Sequence, residues 1–125
     1  MTALVVDDEP QVRFLVASAL EDEGFFVVTA GNGQDALALS ELCQRRVDLL
    51  VTDIAMPGMD GATLARELLA RAPDLPVILM SGTYNGADIT GVGSARFLAK
   101  PFSLANLVGL VRAVSAPKVG AAHPS

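Results

Sequence analysis

Apolar runs at Ala3–Val6, Leu49–Thr52 and Val77–Met80 stop abruptly at polar residues: Asp7-Asp8, Asp53 and Ser81. A weaker run, Arg96–Ala99, stops at Lys100, and Phe25–Ala30 supplies a further strand-like segment. The runs are near-continuous rather than alternating, which predicts strands buried on both faces. Segments of helical period separate them, so the pattern predicts an α/β domain with a doubly wound parallel sheet covered by helices on each side.

The helical segments carry their own punctuation. Pro10 suits a first helical turn, with Asp8 or Glu9 at its cap, and Val12, Leu15, Val16, Ala19 and Leu20 then recur on one face before Gly24 ends the helix. The turn Gly31-Asn32-Gly33 leads into a helix carrying Ala36, Leu39, Ser40 and Cys43. Asp60 and Ser103 are predicted caps of two more helices, whose inner faces are Leu64, Ala65, Leu68 and Leu69, and Leu104, Leu107, Val108 and Val111. Gly82, Gly86, Gly91 and Gly93, with β-branched Ile89, Thr90 and Val92, punctuate the stretch before the fifth strand. Glycine costs a helix interior roughly 1 kcal/mol relative to alanine, so only a short or irregular fourth helix is expected there. Periodicity is lost after Val114; the expected domain covers residues 1–115, and 116–125 reads as a flexible tail or truncated linker.

Composition narrows the class. A chain of 125 residues with 51% hydrophobic and 18% charged residues is expected to form one folded domain and is not a disordered sequence. Aspartates, prolines and glycines interrupt every apolar run well short of the ~20 residues that a membrane span requires. No cationic start followed by an apolar segment marks a secretory signal, so a soluble, cytoplasmic protein is expected, without membrane insertion. Cys43 is the single cysteine, which rules out an intramolecular disulfide or a cysteine metal cluster. Net charge is −5 and the basic residues are scattered rather than striped, which argues against direct nucleic-acid binding.

Ligands of parallel α/β sheets collect outside the carboxyl ends of the strands, where the chain puts Asp7, Asp8, Asp53, Ser81 and Lys100. Taken singly, each has a purely structural explanation: a helix cap, a turn carboxylate, a turn hydroxyl, a solvated lysine. Together they match a chemical requirement. Three carboxylates offer oxygen ligands to a hard divalent cation such as Mg²⁺ without closing a cage around it. Their mutual repulsion must be offset, by a metal or by Lys100. A carboxylate that accepts a phosphoryl group also needs its developing charge met by a metal, a cation and a hydroxyl or amide donor.

The segments Val5-Val6-Asp7-Asp8-Glu9-Pro10, Thr52-Asp53-Ile54-Ala55-Met56-Pro57-Gly58-Met59-Asp60-Gly61, Ser81-Gly82 and Lys100-Pro101-Phe102 resemble the response-regulator receiver domains of two-component phosphorelays. The resemblance covers about residues 3–114 and implies a flavodoxin-like, five-stranded parallel sheet in the order 2-1-3-4-5, a strand order for which the chemotaxis receiver is the reference example. It implies that Asp53 is the phosphoacceptor, receiving its phosphoryl group from the phosphohistidine of a sensor histidine kinase or a histidine phosphotransfer domain. Asp7, Asp8, Asp53 and the backbone carbonyl of Ala55 would hold Mg²⁺, with Mn²⁺ as an alternative. Ser81 would bond a phosphoryl oxygen, Lys100 would pair with the acyl phosphate, and Ser81 and Phe97 would be switch residues acting on a downstream protein. From the residues alone, Phe97 reads as a core aromatic on its strand, and Lys100–Pro101 as a plausible cis peptide. On this resemblance the domain is a signalling phosphoacceptor that assists its own phosphorylation and dephosphorylation, not an enzyme, and it is either stand-alone or excised from a larger protein.

Two departures qualify the resemblance. Ser81 and Lys100 stand closer together than in the best-known stand-alone receivers, and the glycine-rich stretch between them is closer in style to receivers of hybrid sensor kinases. Two other classes compete. A phosphohydrolase of the haloacid-dehalogenase type also uses an aspartyl phosphate, but Asp7-Asp8-Glu9-Pro10-Gln11 lacks the second aspartate of that motif at its place. An unphosphorylated binding module would not need both Asp53 and Lys100.

Overall fold

The computed structural model describes residues 1–42, 46–82 and 91–115. Their order is β1 (Thr2–Val6), α1 (Pro10–Asp22), β2 (Phe26–Ala30), α2 (Gly33–Leu42), β3 (Leu49–Asp53), α3 (Gly61–Arg71), β4 (Val77–Ser81), β5 (Arg96–Ala99) and α4 (Leu104–Ser115). The five strands form one parallel sheet in the order β2-β1-β3-β4-β5, as the resemblance implied. No helix among the described residues is long and apolar enough to cross a membrane. The expected short helix after Gly82 falls largely on residues 83–90, Cys43 on 43–45, and the expected tail on 116–125; all three segments lie outside the described residues.

The central strands explain why the sheet is covered twice. Side chains alternate across a strand, and here both sets are apolar. Leu4, Val6, Leu50, Val77 and Leu79 pack on one side with Ala36 of α2 and Leu64, Ala65 and Leu68 of α3. Ala3, Val5, Leu49, Val51, Ile78, Met80 and Leu98 pack on the other with Val16, Ala19 and Leu20 of α1 and Leu107 and Val111 of α4.

Three inward positions need correction. Leu15 is 42% exposed and Leu104 49% exposed. The buried stripe of α1 is Val16, Ala19 and Leu20, and Leu15 lies beside it, in an open groove with Val12, Pro101 and Phe102. Leu104 opens α4 past the ends of the strands, and burial begins one turn later, at Leu107. Phe97 is 49% exposed, so it is not a core aromatic. Strand β5 is the outer strand, and only Leu98 of its four residues is buried; alternation turns Phe97 to the opposite face.

Side chains cap three helices, two of them at the predicted residues Asp60 and Ser103 and the third at Asn32, which was expected only as part of a turn. Asp60 Oδ1 accepts from Thr63 N–H at 2.8 Å, Ser103 Oγ from Asn106 N–H at 3.0 Å, and Asn32 Oδ1 from Asp35 N–H at 2.7 Å. The first helix differs: Glu9 is the cap residue, but neither its side chain nor that of Asp8 caps the helix. Asp8 is therefore spared for other work.

The start of α3 sits directly on the end of β3. Gly61 N–H donates to the Ile54 carbonyl at 2.9 Å. A Cβ at Gly61 would overlap the Asp53 carbonyl oxygen and stand 2.8 Å from its carbon and 3.0 Å from Ile54 Cα. These are backbone atoms that cannot rotate away. Gly61→Ala should therefore cost about 2 kcal/mol through overpacking, seen as a lower urea midpoint; an unchanged midpoint would mean that α3 can shift freely.

Candidate functional site

The strand register decides which polar side chains meet. Val6 pairs with Thr52, and Asp53 with Met80, so Asp7 and Asp53 leave adjacent strands at the same edge. Ser81 pairs with Ala99, and the next residue, Lys100, donates its N–H to the Ser81 carbonyl at 2.8 Å. The Lys100–Pro101 peptide is cis. All five residues singled out in the sequence thus reach one rim of the sheet. Ala55 lies exposed in the loop that follows Asp53.

Asp7 is fully buried and Asp53 almost so, whereas Asp8 is exposed. One carboxylate oxygen from each of the three can be chosen so that all lie within 4.8 Å of one another. Asp7 is held from two sides: its Oδ1 accepts from Glu9 N–H at 2.8 Å, and its Oδ2 receives Lys100 Nζ at 2.9 Å. Lys100 Nζ also stands 3.4 Å from Asp53 Oδ1 and 3.4 Å from Glu9 Oε1. Among the described residues the Asp8 carboxylate makes no hydrogen bond or ion pair.

The electrostatics follow from this arrangement. Burial and the neighbouring Asp7 charge push the Asp53 carboxyl above its ordinary value of 3.8, and Lys100 offsets this only in part. Burial works against the Lys100 ammonium, but the hydrogen bond to Asp7 and the charges of Asp53 and Asp7 outweigh it and raise Lys100 above 10.5. Lys100 stays charged at neutral pH, while Asp53 carries repulsion that one lysine does not cancel. A divalent cation would fit that remainder: the donors are hard oxygens, the open side is the exposed Asp8, and excess negative charge is what such an ion neutralises.

Sequence reasoning did not anticipate Arg13, whose Nη1 donates to the Asp7 carbonyl at 2.6 Å, or the Glu9 contact to Lys100. Arg13 gives no compositional signal, being one cation on an otherwise ordinary helix. Its role comes from the reach of its side chain back over the first turn.

The comparisons with known proteins agree with the geometry. The family described as response regulator receiver domain matches residues 3–112. The chain is 40% identical over 114 residues to sensor kinase CckA of Brucella abortus (strain 2308), covering 89% of this chain and 12% of that protein. It is 37% identical over 117 residues to the probable transcriptional regulatory protein TcrX of Mycobacterium tuberculosis, covering 91% of this chain and 49% of that one. The chain thus spans half or less of these curated relatives. Among solved structures, the receiver domain from the hybrid histidine kinase CckA superimposes with a TM-score of 0.77 at 32% identity, covering 92% of this chain and 99% of that one. The chain belongs to the response regulator receiver domain family, the phosphoacceptor domains of two-component signalling.

Proposed function

We propose that Asp53 is the phosphoacceptor of this receiver and that Asp7, Asp8, Asp53 and the Ala55 carbonyl hold a magnesium ion, with manganese as an alternative. The observation that carries the reading is the Lys100 ammonium, placed between the buried Asp7 and Asp53 carboxylates at 2.9 and 3.4 Å. In the reaction, a carboxylate oxygen of Asp53 forms a bond to phosphorus. The bond from phosphorus to a donor histidine nitrogen breaks; with the donor's other ring nitrogen protonated, the leaving group is neutral imidazole and the product an acyl phosphate. Lys100 then pairs with a phosphoryl oxygen instead of the carboxylate, and the Ser81 hydroxyl, one strand away, donates to another. The divalent ion, when bound, supplies neutralisation of the phosphoryl oxygens' charge.

The donor on this reading is a sensor histidine kinase or a histidine phosphotransfer domain, and residues 1–115 act as the receiver, with 116–125 as tail or linker. The site promotes its own phosphorylation and dephosphorylation but turns over no separate substrate. Occupancy of the site draws on Ser81 and Phe97 to alter a surface seen by a downstream protein. The exposure of Phe97 supports such a use, because a side chain without a full packing shell can change position at low cost.

Asp8→Ala tests the metal half of the reading. Asp8 anchors nothing else among the described residues and adds to the repulsion on Asp53. The variant should bind Mg²⁺ at least tenfold more weakly by calorimetric titration, an effect of the size expected for losing a carboxylate ligand or its support. Its metal-free urea midpoint should be equal or higher. Normal Mg²⁺ affinity with a lower midpoint would make Asp8 a structural residue instead.

A further inference from the structure

We propose that Arg13 is a positioning residue for the divalent cation, acting through the Asp7–Asp8 peptide; the inference rests on the metal site just described. The Asp7 side chain is fixed by Glu9 N–H and Lys100, and its backbone N–H donates to the Ala30 carbonyl at 3.2 Å. Asp8 has no such anchors: its carboxylate is exposed and makes no hydrogen bond or ion pair among the described residues. The backbone alone therefore sets the direction in which its Cα–Cβ bond leaves the chain, and with it the positions that the carboxylate can reach.

The plane of the Asp7–Asp8 peptide is gripped by Arg13. Its Nη1 donates to the Asp7 carbonyl oxygen at 2.6 Å, a charge-assisted bond of the shorter and stronger kind. Since the Asp7 carbonyl belongs to the Asp7–Asp8 peptide, holding it restrains both the ψ of Asp7 and the orientation of Asp8. The guanidinium lies over Gly31, where a Cβ would stand 3.2 Å from Nη1, so the turn after β2 is shaped to admit it. Arg13 itself rides on α1, its backbone N–H bonded to the Glu9 carbonyl at 3.0 Å. The arginine thus ties the helix, the β2 turn and the acid pair into one unit, without supplying a ligand.

Groups that orient metal ligands typically matter 10- to 100-fold in affinity. Arg13→Ala should therefore weaken Mg²⁺ binding about tenfold by calorimetry of the folded, unphosphorylated chain, and its metal-free urea midpoint should fall, because the Asp7 carbonyl loses a charge-assisted bond. Arg13→Lys should recover most of the affinity, because an ammonium can still donate one bond to the carbonyl. Parent-like Mg²⁺ affinity in Arg13→Ala would overturn the inference, whatever its midpoint; so would a loss that lysine does not restore. The parent and Asp8→Ala run alongside. If the parent binds Mg²⁺ and Asp8→Ala does not, while Arg13→Ala matches the parent, only the role of Arg13 falls. If the parent itself takes up no Mg²⁺, the metal site and the inference fall together.

Discussion

Asp53→Asn should abolish phosphoryl incorporation from acetyl phosphate and Mg²⁺, and should at the same time make the metal-free protein more stable near neutral pH. The first effect is chemical: an amide oxygen is not a nucleophile of the required strength. The second follows from linkage. Burial and Asp7 raise the Asp53 carboxyl above its ordinary value in the folded protein. Its favourable contribution to stability is therefore complete below the unfolded value of about 3.9 and is lost as pH rises through the folded value. At pH 7 the parent bears that loss and the variant does not. The gain should be on the order of 1 kcal/mol once solvent at the open rim is allowed for, and it should shrink as pH falls toward 4. Urea titrations at several pH values, beside a phosphorylation assay, read both effects. A variant that is labelled like the parent would remove Asp53 from its role, and one destabilised at pH 7 would mean that the Lys100 contact outweighs the repulsion.

Lys100→Met should have the largest effect on stability. Asp7 is fully buried and Lys100 is only 15% exposed, with 2.9 Å between Nζ and Oδ2. Removing the cation leaves Asp7 with the Glu9 N–H alone and leaves Asp53 facing it unopposed. Loss of one partner from a buried pair costs about 3 kcal/mol or more. Millimolar Mg²⁺ should return part of it, since an ion that binds only the native state stabilises that state by mass action. The pH dependence has a sign as well. Lys100 is raised above 10.5 in the folded protein, so its contribution is fully present below the unfolded value and is lost as pH climbs through the folded one. The parent should therefore show an alkaline loss of stability that Lys100→Met lacks. Equal urea midpoints for parent and variant in metal-free buffer would show that Asp7 does not depend on this lysine.

Much of this site was legible in the sequence because its residues follow strands that announce themselves. The strands ending at Asp7, Asp53 and Ser81 are unbroken apolar runs, and their register then brings the polar residues to one rim without further information. The caps Asp60 and Ser103 were legible for a related reason: they act over three residues. What stayed hidden depends on tertiary packing. The exposure of Phe97 and Leu104 reflects where the sheet ends, which helical or strand period does not encode. Asp8 and Glu9 looked like caps because local signals say so, yet the Glu9 carboxylate lies against Lys100, from the far end of the chain, and neither side chain caps the helix. The pairing of Lys100 with Asp7 spans almost the whole chain, and the reach of Arg13 to the Asp7 carbonyl depends on side-chain conformation.

The most direct test of the phosphoacceptor assignment is peptide mapping by mass spectrometry after incubation of the parent chain with acetyl phosphate and Mg²⁺. The account predicts an added mass of about 80 Da, that of one phosphoryl group, confined to the peptide that contains Asp53 and lost when Mg²⁺ is chelated. The same mass on a peptide containing Asp7 and Asp8, or label on Asp53 that is indifferent to chelation, would contradict it.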